Sequence, residues 1–168
     1  MKRRMVLVLA LALAGCGLHP LYSGGTTGPI ATTLSRIKVA PIEGKSGWLV
    51  VNALRDRFAG DAPAPLYRLE VRLDDRIAGL GVRRDDSVAR ERRTLRARYQ
   101  LIRAADGAVL LDATAGSDAG IDVVQSEYAT IAAENSALER LADIVADQIV
   151  ARIAVYARKR PGDVPTGP

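Results

Sequence analysis

The sequence predicts an α+β domain: a two-layer sandwich in which two helices pack on one face of a four-stranded, mostly antiparallel sheet, in the order β-α-β-β-β-α. Three observations predict it. Two segments, 67–77 and 90–102, alternate apolar and charged residues with a period of two, the signature of strands with one dry and one wet face. Residues 126–157 contain no Gly or Pro and carry apolar residues at spacings of three, four and seven, the signature of one long amphipathic helix. A shorter helical pattern separates the first strand from these.

The elements follow in order. Residues 36–42 alternate apolar with other residues and predict a short first strand that ends near Pro41. Residues 48–59 place Val50, Val51, Leu54 and Phe58 near one helical face, and Gly60, Pro63 and Pro65 stop that helix. In the second strand Tyr67, Leu69, Val71, Leu73, Asp75 and Ile77 point one way, and Arg68, Glu70, Arg72, Asp74 and Arg76 the other. The polar stretch 79–87 makes the hairpin connection. In the third strand Leu95, Ala97, Tyr99 and Leu101 face inward, opposite Arg90, Arg92, Thr94, Arg96, Arg98 and Gln100. Asp106-Gly107 predicts a tight turn into a fourth strand over 108–115, with Val109, Leu111, Ala113 and Ala115 inward. The last helix buries Ile131, Leu138, Leu141, Val145, Ile149, Ile153 and Tyr156. At about 30 residues it spans roughly 45 Å.

The N-terminus has its own logic. Lys2, Arg3 and Arg4 precede an unbroken apolar run, 5–14, then Gly15 and Cys16. A basic start, a ten-residue apolar stretch and small residues before a cleavage point predict a secretory signal over 1–15. The run is too short to cross a bilayer as a helix, which takes about 20 residues. Leu13-Ala14-Gly15-Cys16 resembles the bacterial lipobox, which implies cleavage before Cys16 and acylation of its thiol by a diacylglycerol, with an N-acyl chain on the new terminus. Two or more chains anchor firmly, since each buried CH₂ contributes about 0.8 kcal/mol. Gly17 rather than Asp after the cysteine favours outer-membrane sorting by resemblance to enterobacterial rules. Residues 16–33, rich in Gly, Thr, Ser and Pro, read as lipidated cysteine and flexible tether; 34–157 as the folded domain; 158–168, with three prolines, as a disordered tail.

Composition narrows the chemistry. The 168 residues hold one Cys and one His, which excludes an intramolecular disulfide and a multi-Cys or His-rich metal site. The formal net charge is +5, from 24 basic and 19 acidic residues; loss of Lys2, Arg3 and Arg4 leaves 21 against 19, a net of +2, which is no nucleic-acid signature. No Walker loop, GxSxG elbow or metal-ligand spacing is present. His19 lies three residues from the acylated cysteine, at the membrane surface. The pairs Asp74-Asp75 and Asp85-Asp86 are poor acid/base candidates, because strand neighbours point to opposite faces and loop pairs are solvated. The expectation is a protein without catalytic residues, metal or cofactor.

Cys16-Gly17-Leu18-His19-Pro20-Leu21-Tyr22 resembles the Cys-Gly-Phe-x-Pro-Leu-Tyr opening of the outer-membrane LPS-assembly lipoprotein family, LptE, especially its short alphaproteobacterial members, with Leu18 in place of Phe. The Arg-Thr-Leu-x-Ala-x-Tyr-x-Leu strand from Arg93 to Leu101 and the Tyr128-Ala129 start of an Ala-rich final helix extend the resemblance. It implies an αβ sandwich, attachment to the outer membrane through the lipid, and a non-enzymatic role as plug and assembly partner of the LptD β-barrel in placing lipopolysaccharide in the outer leaflet. The outward arginines Arg90, Arg92, Arg96, Arg98 and Arg72 are the candidate contacts, because guanidinium forks take phosphate oxygens bidentately and lipid A carries phosphates. They serve either lipopolysaccharide phosphates or acidic groups of the barrel lumen, or else form a plain solvated face part-neutralised by Glu70 and Asp74. An accessory subunit of another envelope complex, such as an ABC-transport auxiliary lipoprotein or a cell-wall synthase activator, is the alternative reading. A lipoprotein hydrolase is disfavoured by the same residue inventory.

Overall fold

A computed structural model describes residues 29–58, 64–82 and 88–159. The elements run α1 (Pro29–Leu34), β1 (Ile37–Val39), α2 (Gly44–Arg57), β2 (Tyr67–Val82), β3 (Val88–Arg103), β4 (Val109–Asp122) and α3 (Glu127–Lys159). The sheet order is β1-β2-β3-β4. β1 pairs parallel with β2, so β1-α2-β2 is a crossover unit, and the other pairings are antiparallel. The sheet is therefore mixed, with α2 and α3 packed against it as the α+β reading anticipates.

The elements differ from expectation mainly in length. β2 and β3 have 16 residues each, and β4 has 14 where the pattern suggested eight. The alternation in fact runs on in β4 through Thr114, Gly116, Asp118, Gly120 and Asp122. Small residues there hide the apolar half of the pattern, since Ala115, Ser117 and Ala119 carry little hydrophobic weight. β1 shrinks to three residues because Pro41 removes a ladder donor. A six-residue helix, α1, occupies the end of the segment read as tether, with Leu34 4% exposed. Residues 1–28, which hold the expected signal, Cys16 and His19, lie outside the described residues, as do 160–168 of the expected tail and the Asp85-Asp86 pair.

The core sits between the sheet and the two helices. Tyr67, Leu69, Leu95, Tyr99 and Leu101 rise from the sheet to meet Val50 and Leu54 of α2, Phe58 at its C-cap, and Leu138, Leu141, Val145, Ile149 and Ile153 of α3, all buried. Each such side chain contributes about 1.5–3 kcal/mol before chain entropy is counted. α2 and α3 are clamped together by polar contacts at two heights. Lys45 donates to Asn135 Oδ1 at 2.6 Å, and Arg57 donates to Asp147 at 2.6 Å and to Asp143 at 3.3 Å. The Asp147 carboxyl is held below the usual carboxylate range by that hydrogen bond from Arg57.

The β3–β4 turn is built as Asp106-Gly107 demands. Gly107 has φ +73°, and the Asp106 carboxylate accepts from the Ala108 amide at 3.1 Å and from Arg103 at 2.9 Å. Just beyond it the β3–β4 register shifts between Leu101 and Ile102. This shift overturns one expectation: Val109 turns outward and is 53% exposed, whereas Leu111, Ala113 and Ala115 pack against the core as the alternation requires.

Candidate functional site

The outward face of the sheet collects the charged halves of β2, β3 and β4. Because strand residues alternate sides, one register decides which charges meet. Arg68, Glu70, Arg72, Asp74 and Arg76 lie in one row, and Arg90, Arg92, Thr94, Arg96, Arg98 and Gln100 in the next. Asp112, Thr114, Gly116, Asp118 and Asp122 form the third. All five sequence-predicted contact residues stand on this face, exposed.

Most of these charges are already neutralised. Arg68 pairs with Glu70 at 2.9 Å and Arg76 with Asp74 at 2.8 Å. On the other side Arg90 pairs with Asp122 at 2.9 Å and Arg98 with Asp112 at 3.0 Å; Arg92 reaches Asp118 at 3.8 Å. Gln100 also donates to Asp112 at 2.9 Å. Hydrogen bonds from Arg98 and then Gln100 keep the Asp112 carboxyl below its ordinary range. The five candidates thus divide: Arg90, Arg92 and Arg98 are engaged by carboxylates of β4. Asp112 lay within the predicted fourth strand, but Asp118 and Asp122 went unrecognised because that strand ended at residue 115; their even spacing from Asp112 is the signal that locates the row.

Arg72 and Arg96 are the remainder. Among the described residues, no carboxylate pairs with either. Arg72 lies directly across from Arg98, an unfavourable like-charge neighbour, and Arg96 lies across from Asp74, whose carboxylate is taken by Arg76. On its other side Arg96 faces Gly116, which offers no side chain. A Cβ there would stand 3.2 Å from both Arg96 Cγ and the Leu95 carbonyl oxygen, so a larger residue would require these neighbours to give by a few tenths of an ångström. Glu70, Arg72, Arg98 and Gln100 line a shallow cleft of about 190 Å³, and a neighbouring depression extends it to Asp74, Arg96 and Thr114. Two guanidinium groups without a carboxylate partner thus stand at diagonal positions on adjacent strands, with Arg98 beside them; guanidinium forks of this kind take phosphate or carboxylate oxygens bidentately.

The inward face holds a different charge pair, which the sequence reading did not single out. Arg93 binds Asp75 through two bonds, Nη2 to Oδ2 at 2.7 Å and Nε to Oδ1 at 2.9 Å, and its Nη1 donates to the Glu134 carbonyl at 3.1 Å. Their side chains are only 12% and 20% exposed. Asp74 and Asp75 do face opposite ways, as expected, each with its own arginine. Arg93 bolts the start of α3 to the sheet, and the signal for it was an Arg at an inward position of β3. Among the described residues no group of His, Cys, Asp and Glu is placed to hold a metal ion. No helix of the described residues is long and apolar enough to cross a membrane.

Comparison with known proteins adds a lineage to this geometry. No curated protein matches the chain by sequence. A protein of Caulobacter crescentus CB15 described as a lipoprotein has a similar structure, with TM-score 0.66 and 26% identity over 83% of this chain and 100% of that one. The rare lipoprotein B of Shewanella oneidensis shares the fold at TM-score 0.55 and 12% identity, covering 74% of this chain and 96% of its own. A family model described as "LptE: Lipopolysaccharide-assembly" matches residues 34–153.

Proposed function

Because this chain belongs to the LptE family of lipopolysaccharide-assembly lipoproteins, we propose that it works as a non-enzymatic plug and assembly partner of the LptD β-barrel in the outer membrane. Acyl chains on Cys16 hold it there, and its outward sheet face guides lipopolysaccharide phosphates. One observation carries the site assignment: on a face where five arginines are neutralised by carboxylates, Arg72 and Arg96 stand at diagonal positions on adjacent strands without one. A phosphate seated between them would gain charge-assisted hydrogen bonds and relieve the Arg72–Arg98 repulsion at the same time. Catalysis has no part in this reading; transport needs a charged, sterically defined surface beside the barrel wall.

The test is binding of purified lipopolysaccharide to the full-length lipidated protein in detergent. Charge reversal at Arg72→Glu with Arg96→Glu is expected to weaken binding by about tenfold or more, as lost charge-assisted bonds require. Arg90→Gln, which removes an already neutralised arginine, leaves binding close to wild type. Equal binding by all three proteins would refute the assignment of the cleft. Depletion of the protein, with lipopolysaccharide at the cell surface and co-purification of the barrel as readouts, tests the role and the partner separately.

A further inference from the structure

One end of the domain is assembled around α1 and β1. The Arg36 carbonyl accepts from the Leu66 and Tyr67 amides at 3.0 and 3.2 Å, and the Leu66 carbonyl accepts from the Ala104 amide at 2.9 Å. The start of β1, the start of β2 and the end of β3 are thereby tied together, and α1 packs on α3. α3 runs from the far end of β4 back toward this end. Arg93 holds it at the Glu134 carbonyl; further along, Gln148 Oε1 accepts from the Gly116 amide at 3.0 Å and its Nε2 donates to the Gly116 carbonyl at 3.4 Å, which closes the edge of β4 there. Arg152 then lies near the Tyr99 phenol, and Arg158 and Lys159 end the helix toward the β3–β4 turn.

The charge at this end is basic and unbalanced. Lys38, Arg152, Arg158 and Lys159 are exposed and Arg36 is half-buried, and among the described residues no carboxylate pairs with any of the five. Two carboxylates nearby are already engaged, Glu70 by Arg68 and Asp106 by Arg103, each at 2.9 Å. Helix polarity accounts for Arg158 and Lys159, which stand in the last turn of α3. It does not account for Arg152, two turns earlier, or for Arg36 and Lys38, which lie outside any helix. The rest of α3 carries the opposite sign, with Glu127, Glu134, Glu139, Asp143 and Asp147 against Arg140 alone. Val109, 53% exposed, adds an apolar side chain beside the β3–β4 turn.

We propose that this basic end rests on the anionic phospholipid headgroups of the leaflet that holds Cys16, with Val109 at headgroup depth. The inference rests on the reading that Cys16 is acylated. Reach selects the end: the thirteen residues 16–28 span at most about 45 Å, whereas the 16-residue β2 alone runs about 53 Å. A domain standing with its β2–β3 hairpin end on the leaflet would lift Pro29 beyond that reach. Charge then favours the contact, since each Lys or Arg near an anionic surface adds about fivefold to partitioning and guanidinium forks take headgroup phosphate oxygens bidentately. The arginine cleft opens further along the outward face of β2 and β3, so this contact neither uses it nor depends on its ligand.

With the Cys16 thiol acylated, Val109→Cys and Ala78→Cys each give the full-length lipidated protein a single site for a fluorescent dye, Ala78 being exposed toward the hairpin end of β2. The proteins are reconstituted in phosphatidylcholine vesicles, with or without phosphatidylglycerol, that carry a headgroup-linked quencher. With phosphatidylglycerol present, quenching at position 109 is expected to be about threefold or more that at position 78, and to weaken as salt is added. Reversal of the four exposed cations, Lys38→Glu with Arg152→Glu, Arg158→Glu and Lys159→Glu, should bring it down to the value in phosphatidylcholine alone. The comparison of the two dye positions needs no reversed variant to fold. Equal quenching at both positions, indifference to phosphatidylglycerol, or indifference to the reversal would overturn the proposal. So would charge-dependent capture of this end by the purified barrel without any response to phosphatidylglycerol, since the occupant would then be a protein. Intact mass tests the acylation separately. A bare Cys16 would refute the anchor and leave the basic end testable by sedimentation, in which the unmutated protein should still pellet with phosphatidylglycerol vesicles at low salt and the reversed one should not; failure to pellet would overturn the proposal too.

Discussion

β3 serves two faces with opposite chemistry, and the contrast between them shows where its arginines matter. Inward, Leu95, Ala97, Tyr99 and Leu101 are each 1% exposed or less, and a charge pair among them, Arg93–Asp75, is bidentate and anchored again on a helix carbonyl. Outward, five arginine–carboxylate pairs of the sheet sit in solvent. The Coulomb attraction is similar in kind, but water screens the outer pairs and charges no desolvation for separating them. An inner arginine without its partner would be left in the core with its charge uncompensated. The outer face is therefore free to vary in charge at little cost in stability, so the anion-binding role proposed for it makes no demand on the fold.

The comparison can be broken or sharpened by substitution, beginning with the inner face. Leu95→Ala opens a cavity at a side chain with no exposure and should cost about 2–5 kcal/mol in urea denaturation. Asp75→Leu should cost about 2–4 kcal/mol, because Arg93 keeps its charge and loses its partner. The double variant Asp75→Leu with Arg93→Leu should recover much of that loss; if it recovers none, the pair does more than neutralise itself. Outside, Arg72→Glu should change stability by no more than about 0.5 kcal/mol, and in the stabilising direction, since it replaces a like-charge neighbour of Arg98 with an opposite one. A variant that is as stable as wild type and binds lipopolysaccharide poorly would separate the two faces cleanly.

The smallest effect is set by pH. Asp147 has a folded pKa below its unfolded value near 3.9, so its contribution is present above about pH 4 and disappears as pH falls through the folded value. In melting curves Asp147→Asn should lose some stability at pH 7 and converge on wild type at low pH. Burial raises the Tyr99 phenol, so its contribution holds below about pH 10 and declines as pH rises toward the folded value. Tyr99→Phe should flatten that alkaline limb.

Much of this was legible in the residues themselves. The period-two runs placed Leu95 inward and Arg96 outward correctly, and the three-four-seven spacing located the buried stripe of α3 from Leu138 to Ile153. Ile131 fits the same stripe yet is 46% exposed, because helical periodicity names a face without saying how far the opposing layer extends. The end of β4 was hidden by alanine, serine and glycine, whose weak hydrophobic contrast blurs an alternation that still runs to Asp122.

The candidate site was half legible for a related reason. Five outward arginines could be named from alternation alone, yet which of them are free depends on cross-strand register. Register comes from the β3–β4 turn, the shift at Ile102 and the packing of both helices.

The amino-acid order by itself determined the fold class, the inward and outward sets of each strand, the family resemblance and the expectation of an acylated Cys16, because these depend on local period and short motifs. Only the tertiary structure decided that Arg90, Arg92 and Arg98 are neutralised while Arg72 and Arg96 are not, that Arg93 fastens α3 to the sheet, and that Gln148 fills the edge at Gly116. Those are contacts between residues 14 to 41 positions apart, and neither propensity nor periodicity reports which distant side chains are brought within reach.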